Sequence, residues 1–382
     1  DAVFEAMSGM TTTGSTVFTG LDDLPKGLLL WRGILQWLGG IGIIVVAMVF
    51  LPELRVGGMQ IFKSEAFDTF GKILPRAGQI ASQISVIYVW LTFACALTYL
   101  ALGMNVFDAT VHALTTVSTG GFSNYDASFG TFSGNAEYAA SIFMVLAALP
   151  FVRYVQLLNG NALALHRDPQ VRGFLMTITV LVLIVFFSIR TVFPQHWEQS
   201  LREALFNITS IMTGTGYASA PYDTWGQPVM VIFLGATFVG GCAGSAACGL
   251  KMFRLEIAAK TIVAYWQRRI QPHRRTPIRY AGKTVDEEVL QSVMVFISLY
   301  LLTFLVAAAL ISVTGVDALT AISGAATSVS NVGPGLGPMI GPSGTFQLLP
   351  DFAKWVCAIA MLLGRLEFVA VFVVLTRRFW RG

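Results

Sequence analysis

Four times along its 382 residues, the chain runs from an acidic residue and an alanine through a short segment into a turn of hydroxyl or amide residues and glycine. The segments open at Asp1, Asp108, Glu203 and Asp317, and end in Thr12-Thr13-Gly14, Ser118-Thr119-Gly120, Gly214-Thr215-Gly216 and Asn331-Val332-Gly333. The chemistry these residue types share is oxygen ligation of a cation. The carbonyls of an extended turn can replace a hydration shell, and threonine and serine hydroxyls add further oxygens. Glycine lets the backbone adopt positive φ or crowd an axis. A short helix starting at an acidic residue also points its partially negative C-terminal end at the turn that follows, which favours a cation there. The turn residues are therefore the candidate ion ligands. The fourth turn departs most: its acidic residue lies further from the glycine, and Pro334 and Pro338 stiffen the exit.

What must position these turns is a set of membrane spans. Charged residues make up 12% of the chain and hydrophobic residues 55%, and the mean hydropathy is +0.67. Soluble globular chains carry about 25% charged residues. This composition points to a polytopic membrane protein in contact with lipid, with no nucleic acid partner. Apolar runs at 28–51, 80–103, 136–158, 173–193, 226–250, 289–314 and 352–376 are long enough to cross a bilayer at about 1.5 Å per residue. The four short segments are not, and are expected to be pore segments. The expected fold class is all-α: a pseudo-fourfold ring of helix–pore helix–helix repeats around one ion path. Repeat 1 covers 1–52, repeat 2 covers 77–160, repeat 3 covers 171–270 with a broken second span, and repeat 4 covers 284–382. Repeat 1 lacks its leading span and the chain opens at Asp1 rather than Met, so a further span upstream is expected in the intact protein.

Basic residues collect on one side. The connection 52–79 carries Arg55, Lys63, Lys72 and Arg76, and 159–172 carries Arg167 and Arg172. The connection 251–288 is the richest, with Arg268, Arg269, Arg274, Arg275 and Arg279 among others, and the tail ends in Arg377, Arg378 and Arg381. After the pore segments come Asp22, Asp23, Asp126 and Asp223, with Lys26 as the exception. By the positive-inside rule the basic connections are cytoplasmic and the pore segments open outward. The outer acids either concentrate cations at the mouth or form a solvated face. The run 268–279 is either this topological signal or a docking surface for a cytosolic partner. Cys95, Cys242, Cys248 and Cys357 show no metal-ligand spacing and read as small buried hydrophobes.

Two features interrupt the spans. Between Gly235 and Gly249 the glycines Gly240, Gly241 and Gly244, with Ser245, break an apolar run, and Lys251 follows. Glycine costs roughly 1 kcal/mol per helical position relative to alanine, so the stretch reads as a kink or loop at membrane depth, or as a close helix contact. Arg365 falls near the middle of the last run, where a lipid-facing charge costs at least about 2.5 kcal/mol. It is expected either to pair with another span or to face the path below the turns. Glu367, two residues on, points elsewhere on a helix and is not an obvious partner.

The turns ending Thr-Thr-Thr-Gly-Ser-Thr16, Ser-Thr-Gly-Gly-Phe122, Thr-Gly-Thr-Gly-Tyr217 and Ser-Asn-Val-Gly-Pro-Gly335 resemble those of the Trk/Ktr/HKT superfamily of potassium transporters. So do the stretch Gly240 to Lys251 and the segment Met361-Leu-Leu-Gly-Arg-Leu-Glu367, and the resemblance spans essentially the whole chain. It is greatest to the bacterial Trk-type membrane subunit. The resemblance implies potassium uptake across the bacterial inner membrane, with K+ as the transported ion and no other cofactor. It implies a homodimer and a cytosolic ring of nucleotide-binding regulatory subunits. It implies that Gly14, Gly120, Gly216 and Gly333 select potassium. It also implies an intramembrane gating loop over 235–249, and it favours Arg365 as a charge below the filter that raises the barrier to leak.

The same residues admit two other classes. An intramembrane hydrolase would use Gly244-Ser245, but no histidine is placed beside it as a base, and His112 falls in a pore segment. A symporter coupled to protons or sodium fits the broken spans, although the repeats run parallel rather than inverted.

Overall fold

The computed structural model describes residues 1–49, 77–192, 196–271 and 277–368. Arg55, Lys63, Lys72, Arg76, Arg274, Arg275 and the arginines of the tail lie outside the described residues. The chain is an all-α membrane protein, with one two-stranded hairpin as its β-structure among the described residues.

Among the described residues four helices are long and apolar enough to cross a bilayer: α2 (Lys26–Val49), α3 (Ala77–Ala101), α8 (Pro169–Val192) and α12 (Glu287–Ser312). Between 22% and 39% of their apolar windows is buried inside the protein, so most of each faces outward, as lipid contact requires. Trp90, Phe93, Leu302 and Leu305 are among the exposed apolar side chains.

Three expected spans are broken instead. The run 136–158 is α5 (Asn135–Ala148) and α6 (Phe151–Leu158), bent by 90° at Leu149-Pro150. Proline has no N–H to continue the helix, and it disfavours the helical conformation of the residue before it. The run 226–250 is helical only as α10 (Gln227–Phe238) and then leaves helical geometry through to Lys251. In the last run α14 covers Asp351–Arg365, so Arg365 ends a helix, and 369–376 lie outside the described residues. Glu367 and Phe368 follow with φ of +59° and +36°.

The four short helices are α1 (Ala2–Met10), α4 (Val106–Val117), α9 (Trp197–Thr213) and α13 (Ala318–Ser330). Asn105 caps α4, its Oδ1 accepting from Asp108 N at 2.9 Å, and Asp317 caps α13 by accepting from Thr320 N at 3.0 Å. The third begins well ahead of Glu203, which lies inside the helix. Each short helix packs on the helix that follows the preceding turn: α4 on α2, α9 on α5, α13 on α10, and α1 on α14. The last of these contacts joins the start of the chain to its end and closes the set into a circle. The remaining elements are α7 (Ala164–Arg167), α11 (Met252–Ile270), and β1 (Arg279–Tyr280) paired antiparallel with β2 (Lys283–Thr284). The helix α11 packs on α8 and α12.

The circle is tight because small residues line its contacts. A Cβ built on Gly39 of α2 would lie 2.0 Å from Met10 O at the end of α1. Gly39→Ala is therefore expected to force α1 and α2 apart and to cost about 1–3 kcal/mol, as overpacking does. Thermal unfolding of the purified protein measures this.

Candidate functional site

Each short helix ends in a turn with the same backbone alternation. Left-handed φ occurs at Thr12 (+52°) and Gly14 (+86°), at Thr119 (+52°) and Gly121 (+74°), at Gly214 (+74°) and Gly216 (+80°), and at Asn331 (+53°) and Gly333 (+117°). The second turn is thus shifted by one residue from the spacing expected for it. Its counterpart of Gly14 is Gly121, not Gly120, and Gly120 corresponds to Thr13. Ser118 stands outside the alternating pair, as the C-cap of α4, against Gly40 of α2. Counting from Gly121 also equalises the distance to Asp1, Asp108 and Glu203 in the first three segments, a signal already present in the sequence.

The four turns meet one another in cyclic order. A Cβ built on Gly14 would lie 2.2 Å from Gly120 O, and one on Gly121 would lie 1.8 Å from Thr215 O. One on Gly216 would lie 1.8 Å from Val332 O, and one on Gly333 would lie 2.9 Å from Thr13 O. Each glycine therefore abuts the carbonyl that precedes the equivalent glycine of the next turn, and the fourth returns to the first. Any side chain would collide with backbone, so all four positions need glycine for space as well as for φ.

Buried polar side chains on the short helices hold the strands that leave the turns. Glu5 accepts from Val17 N and from Thr16 Oγ1, each at 2.9 Å, and pairs with Arg32 Nε at 2.8 Å. His112 Nε2 bonds Ser123 Oγ at 3.1 Å. Asn207 bonds Ser219 N and Oγ, each at 3.1 Å. Ser323 Oγ accepts from Leu336 N at 3.0 Å. Glu5, His112 and Asn207 stand at the same distance before Gly14, Gly121 and Gly216. The sequence reading missed this brace because the three residue types differ. The His112–Ser123 contact was also unforeseen, but that hydroxyl is tied to Tyr125 N and Ser128 O and has a structural use.

On one side the four glycines, Gly14, Gly121, Gly216 and Gly333, line a shared recess together with Asp126. Asp126 also accepts from Gly20 N at 2.9 Å and Leu21 N at 3.0 Å. Asp22, Asp23 and Asp223 do not line it. Asp223 lies in the loop before α10, where burial raises its carboxyl above the ordinary range.

On the other side lies the irregular stretch 239–251. Its arms cross at Gly240, where a Cβ would lie 1.9 Å from Cys248 O, and Gly240 N donates to Leu250 O at 2.8 Å. Part of its backbone is satisfied by the break between α5 and α6. Ala148 O accepts from Cys242 N at 3.0 Å, Ala147 O accepts from Ala246 N at 3.2 Å, and Phe151 N donates to Gly244 O at 2.9 Å. Two interrupted helices thus complete each other's hydrogen bonding. Ser245 Oγ is turned inward and donates to Cys242 O at 2.6 Å. Gly249 is left-handed at +75°, and Lys251 Nζ folds back onto Ala247 O.

Cys248 brings this loop against the turns. Its Sγ lies 3.6 Å from Thr12 Oγ1, and its N lies 3.4 Å from a Cβ built on Gly214. Arg365 contacts the same thiol with Nη1, donates to Ala246 O at 3.3 Å, and donates with Nη2 to Gly39 O at 3.0 Å. Glu367 pairs not with Arg365 but with fully buried Arg254, whose guanidinium lies 3.7 Å over the Phe296 ring. This pair ties the start of α11 to the end of α14. Arg254→Met strands a buried carboxylate and is expected to cost about 3–5 kcal/mol, most of it regained when Glu367→Leu is added. A double-mutant cycle on thermal unfolding measures both effects.

A family model described as a cation transport protein, TrkH, matches residues 1–380. The Trk system potassium uptake protein TrkI of Halomonas elongata is 44% identical over 384 residues, covering 100% of this chain and 78% of that protein. The Trk system potassium uptake protein TrkH of Escherichia coli K12 is 36% identical, covering 100% of this chain and 79% of that one. The crystal structure of the potassium transporter TrkH from Vibrio parahaemolyticus superposes with a TM-score of 0.89 at 33% identity, over 99% of this chain and 78% of that one.

Proposed function

Since the chain belongs to the TrkH family of cation transport proteins, we propose that it carries potassium into the cell along one path at the centre of the four turns. The observation that carries this reading is the cyclic approach of Gly14, Gly121, Gly216 and Gly333 to the carbonyls of Gly120, Thr215, Val332 and Thr13. Four short helices end at that centre, and their C-terminal dipoles favour a cation there. The filter is then Thr12 to Gly14, Thr119 to Gly121, Gly214 to Gly216 and Asn331 to Gly333, each supplied by one helix–pore helix–helix repeat of a pseudo-fourfold ring. The repeats follow the divisions 1–52, 77–160, 171–270 and 284–382.

The recess holding Asp126 is the outer mouth, and the loop 239–251 closes the path from the cytoplasmic side of the bacterial inner membrane. Gly240, Gly241, Gly244, Ser245, Gly249 and Lys251 belong to that gate. Arg365 latches it, because its guanidinium bonds the loop at Ala246 and Cys248 and α2 at Gly39. Among the described residues no carboxylate pairs with Arg365, so its charge opposes a cation leaving the filter. The names of the relatives describe parts of an uptake system, and a homodimer with a cytosolic nucleotide-binding ring belongs to the same proposal. The exposed Ile262, Val263, Tyr265, Trp266 and Ile270 of α11 suit such a contact.

The test is rubidium or potassium uptake into proteoliposomes holding the purified protein. Uptake is expected to follow the potassium gradient alone. Uptake that needs an added proton or sodium gradient would make the protein a symporter, and no uptake under either condition would sink the proposal. In the same assay Gly216→Ala is expected to cut flux roughly ten- to hundredfold, the equivalent of about 1–3 kcal/mol of overpacking. Arg365→Ala is expected to raise flux by about tenfold, as loss of a charged hydrogen-bonded latch would. Unchanged or reduced flux in a folded Arg365→Ala protein counts against the latch.

A further inference from the structure

Gln36 lies on α2 behind the second turn and is fully buried. Its Nε2 donates to Gly120 O at 2.6 Å, and its Oε1 accepts from Phe122 N at 3.0 Å. A primary amide offers the same donor and acceptor as a peptide unit on a neighbouring strand, so the side chain closes on both sides of left-handed Gly121. The fit is close: a Cβ built on Gly120 would lie 2.4 Å from Gln36 Cδ. Gly120 O is also the second turn's member of the carbonyl ring, the atom that abuts Gly14. Among the described residues no hydrogen-bond donor reaches the equivalent oxygens of Thr13, Thr215 and Val332. The ring is therefore unequal, with one carbonyl clamped from behind and three without a clamp.

We propose that Gln36 is a positioning residue that sets ion discrimination. The amide occupies one lone pair of Gly120 O and holds that peptide in a single orientation, so the second turn cannot rotate its carbonyl to suit a smaller ion. The inference rests on reading the four turns as an ion filter.

Two substitutions separate the clamp from simple packing. Gln36→Met keeps the length and removes both bonds. Gln36→Glu keeps the shape and, while its carboxyl is protonated, both bonds: the O–H donates to Gly120 O and the C=O accepts from Phe122 N. The clamping form is the protonated carboxyl, and it is lost when that carboxyl ionises as pH rises. The other charged and titratable groups around this stretch of α2 are the Glu5–Arg32 pair one turn away, Tyr88 of α3 beside Gly40, and Arg365 of α14 on Gly39 O.

The experiment is rubidium uptake by the full chain in proteoliposomes of equal inner and outer pH, competed by potassium and by sodium, from about pH 6 to about pH 9. The preference for potassium over sodium is expected to fall roughly fivefold in Gln36→Met at every pH, the effect of about one lost neutral hydrogen bond. Gln36→Glu is expected to match the unaltered chain at the acid end and to lose discrimination as pH rises. An unchanged preference in Gln36→Met together with a profile for Gln36→Glu parallel to that of the unaltered chain overturns the proposal. If Gln36→Met does not fold, the profile of Gln36→Glu decides alone. Absence of potassium-dependent uptake in the unaltered chain overturns the filter reading itself, and this inference with it.

Discussion

Backbone that leaves helical geometry at membrane depth must find hydrogen-bond partners inside the protein, because lipid offers none. That constraint organises this molecule. It acts at the four turns, at the stretch 239–251 and at the break around Pro150, and in each case one irregular segment completes another. The stretch 239–251 could not stand alone: its donors at Cys242 and Ala246 end on Ala148 and Ala147, whose carbonyls are free because Pro150 ends α5. The two breaks are therefore one structural feature drawn from distant parts of the chain. The turns obey the same constraint through Glu5, His112, Asn207 and Ser323, which take up the strands that leave them.

This dependence explains why the turns tolerate strain. Thr12, Thr119 and Asn331 are not glycine, yet each holds a left-handed φ near +50°, which costs of order 1 kcal/mol or more apiece. They persist because the surroundings leave no alternative. Asn331 is held by bonds from its Nδ2 to Thr13 Oγ1 at 2.9 Å and to Met361 O at 2.8 Å. The threonine pairs Thr11–Thr13 and Thr213–Thr215 each share a hydroxyl contact of 2.8 Å. These pairs fall in the first and third turns, while Gly120 and Val332 take the corresponding place in the second and fourth. The left-handed φ pattern recurs in all four turns, while the side chains repeat only in alternate ones.

Much of the frame was legible in the sequence. Composition and hydropathy revealed a polytopic membrane protein, and the repeated glycine turns marked the residues that meet at the centre. The register of the second turn was misread because Gly120 and Gly121 are adjacent, and spacing to a preceding hydroxyl cannot choose between them. Backbone φ and the contact with Thr215 O do choose. The bend at Pro150 was readable from the proline but was lost in an apolar run of span length. Gln36 and Arg32 escaped because a polar residue inside a span shows its use only when its partner is known, and Arg254 was read only as part of the basic connection 251–288. Those partners are Gly120, Glu5 and Glu367, far away in the chain.

The three buried arginines among the described residues divide by partner. Arg32 and Arg254 each meet a carboxylate and an aromatic ring, at Glu5 and Phe122 and at Glu367 and Phe296. Paired in this way, a buried guanidinium holds its surroundings together and projects little net field. Arg365 is bonded instead to Ala246 O, Gly39 O and the Cys248 thiol, all neutral. Carbonyl dipoles can hold a guanidinium in place, but they do not cancel its charge at a distance. One thiol, Cys248, stands between it and Thr12 of the first turn. Of the three, Arg365 is thus the one held by neutral groups, and it ties the stretch 239–251 to α2. If the stretch 239–251 gates the path as proposed, its movement away from the turns also releases Arg365 from Ala246 and Cys248.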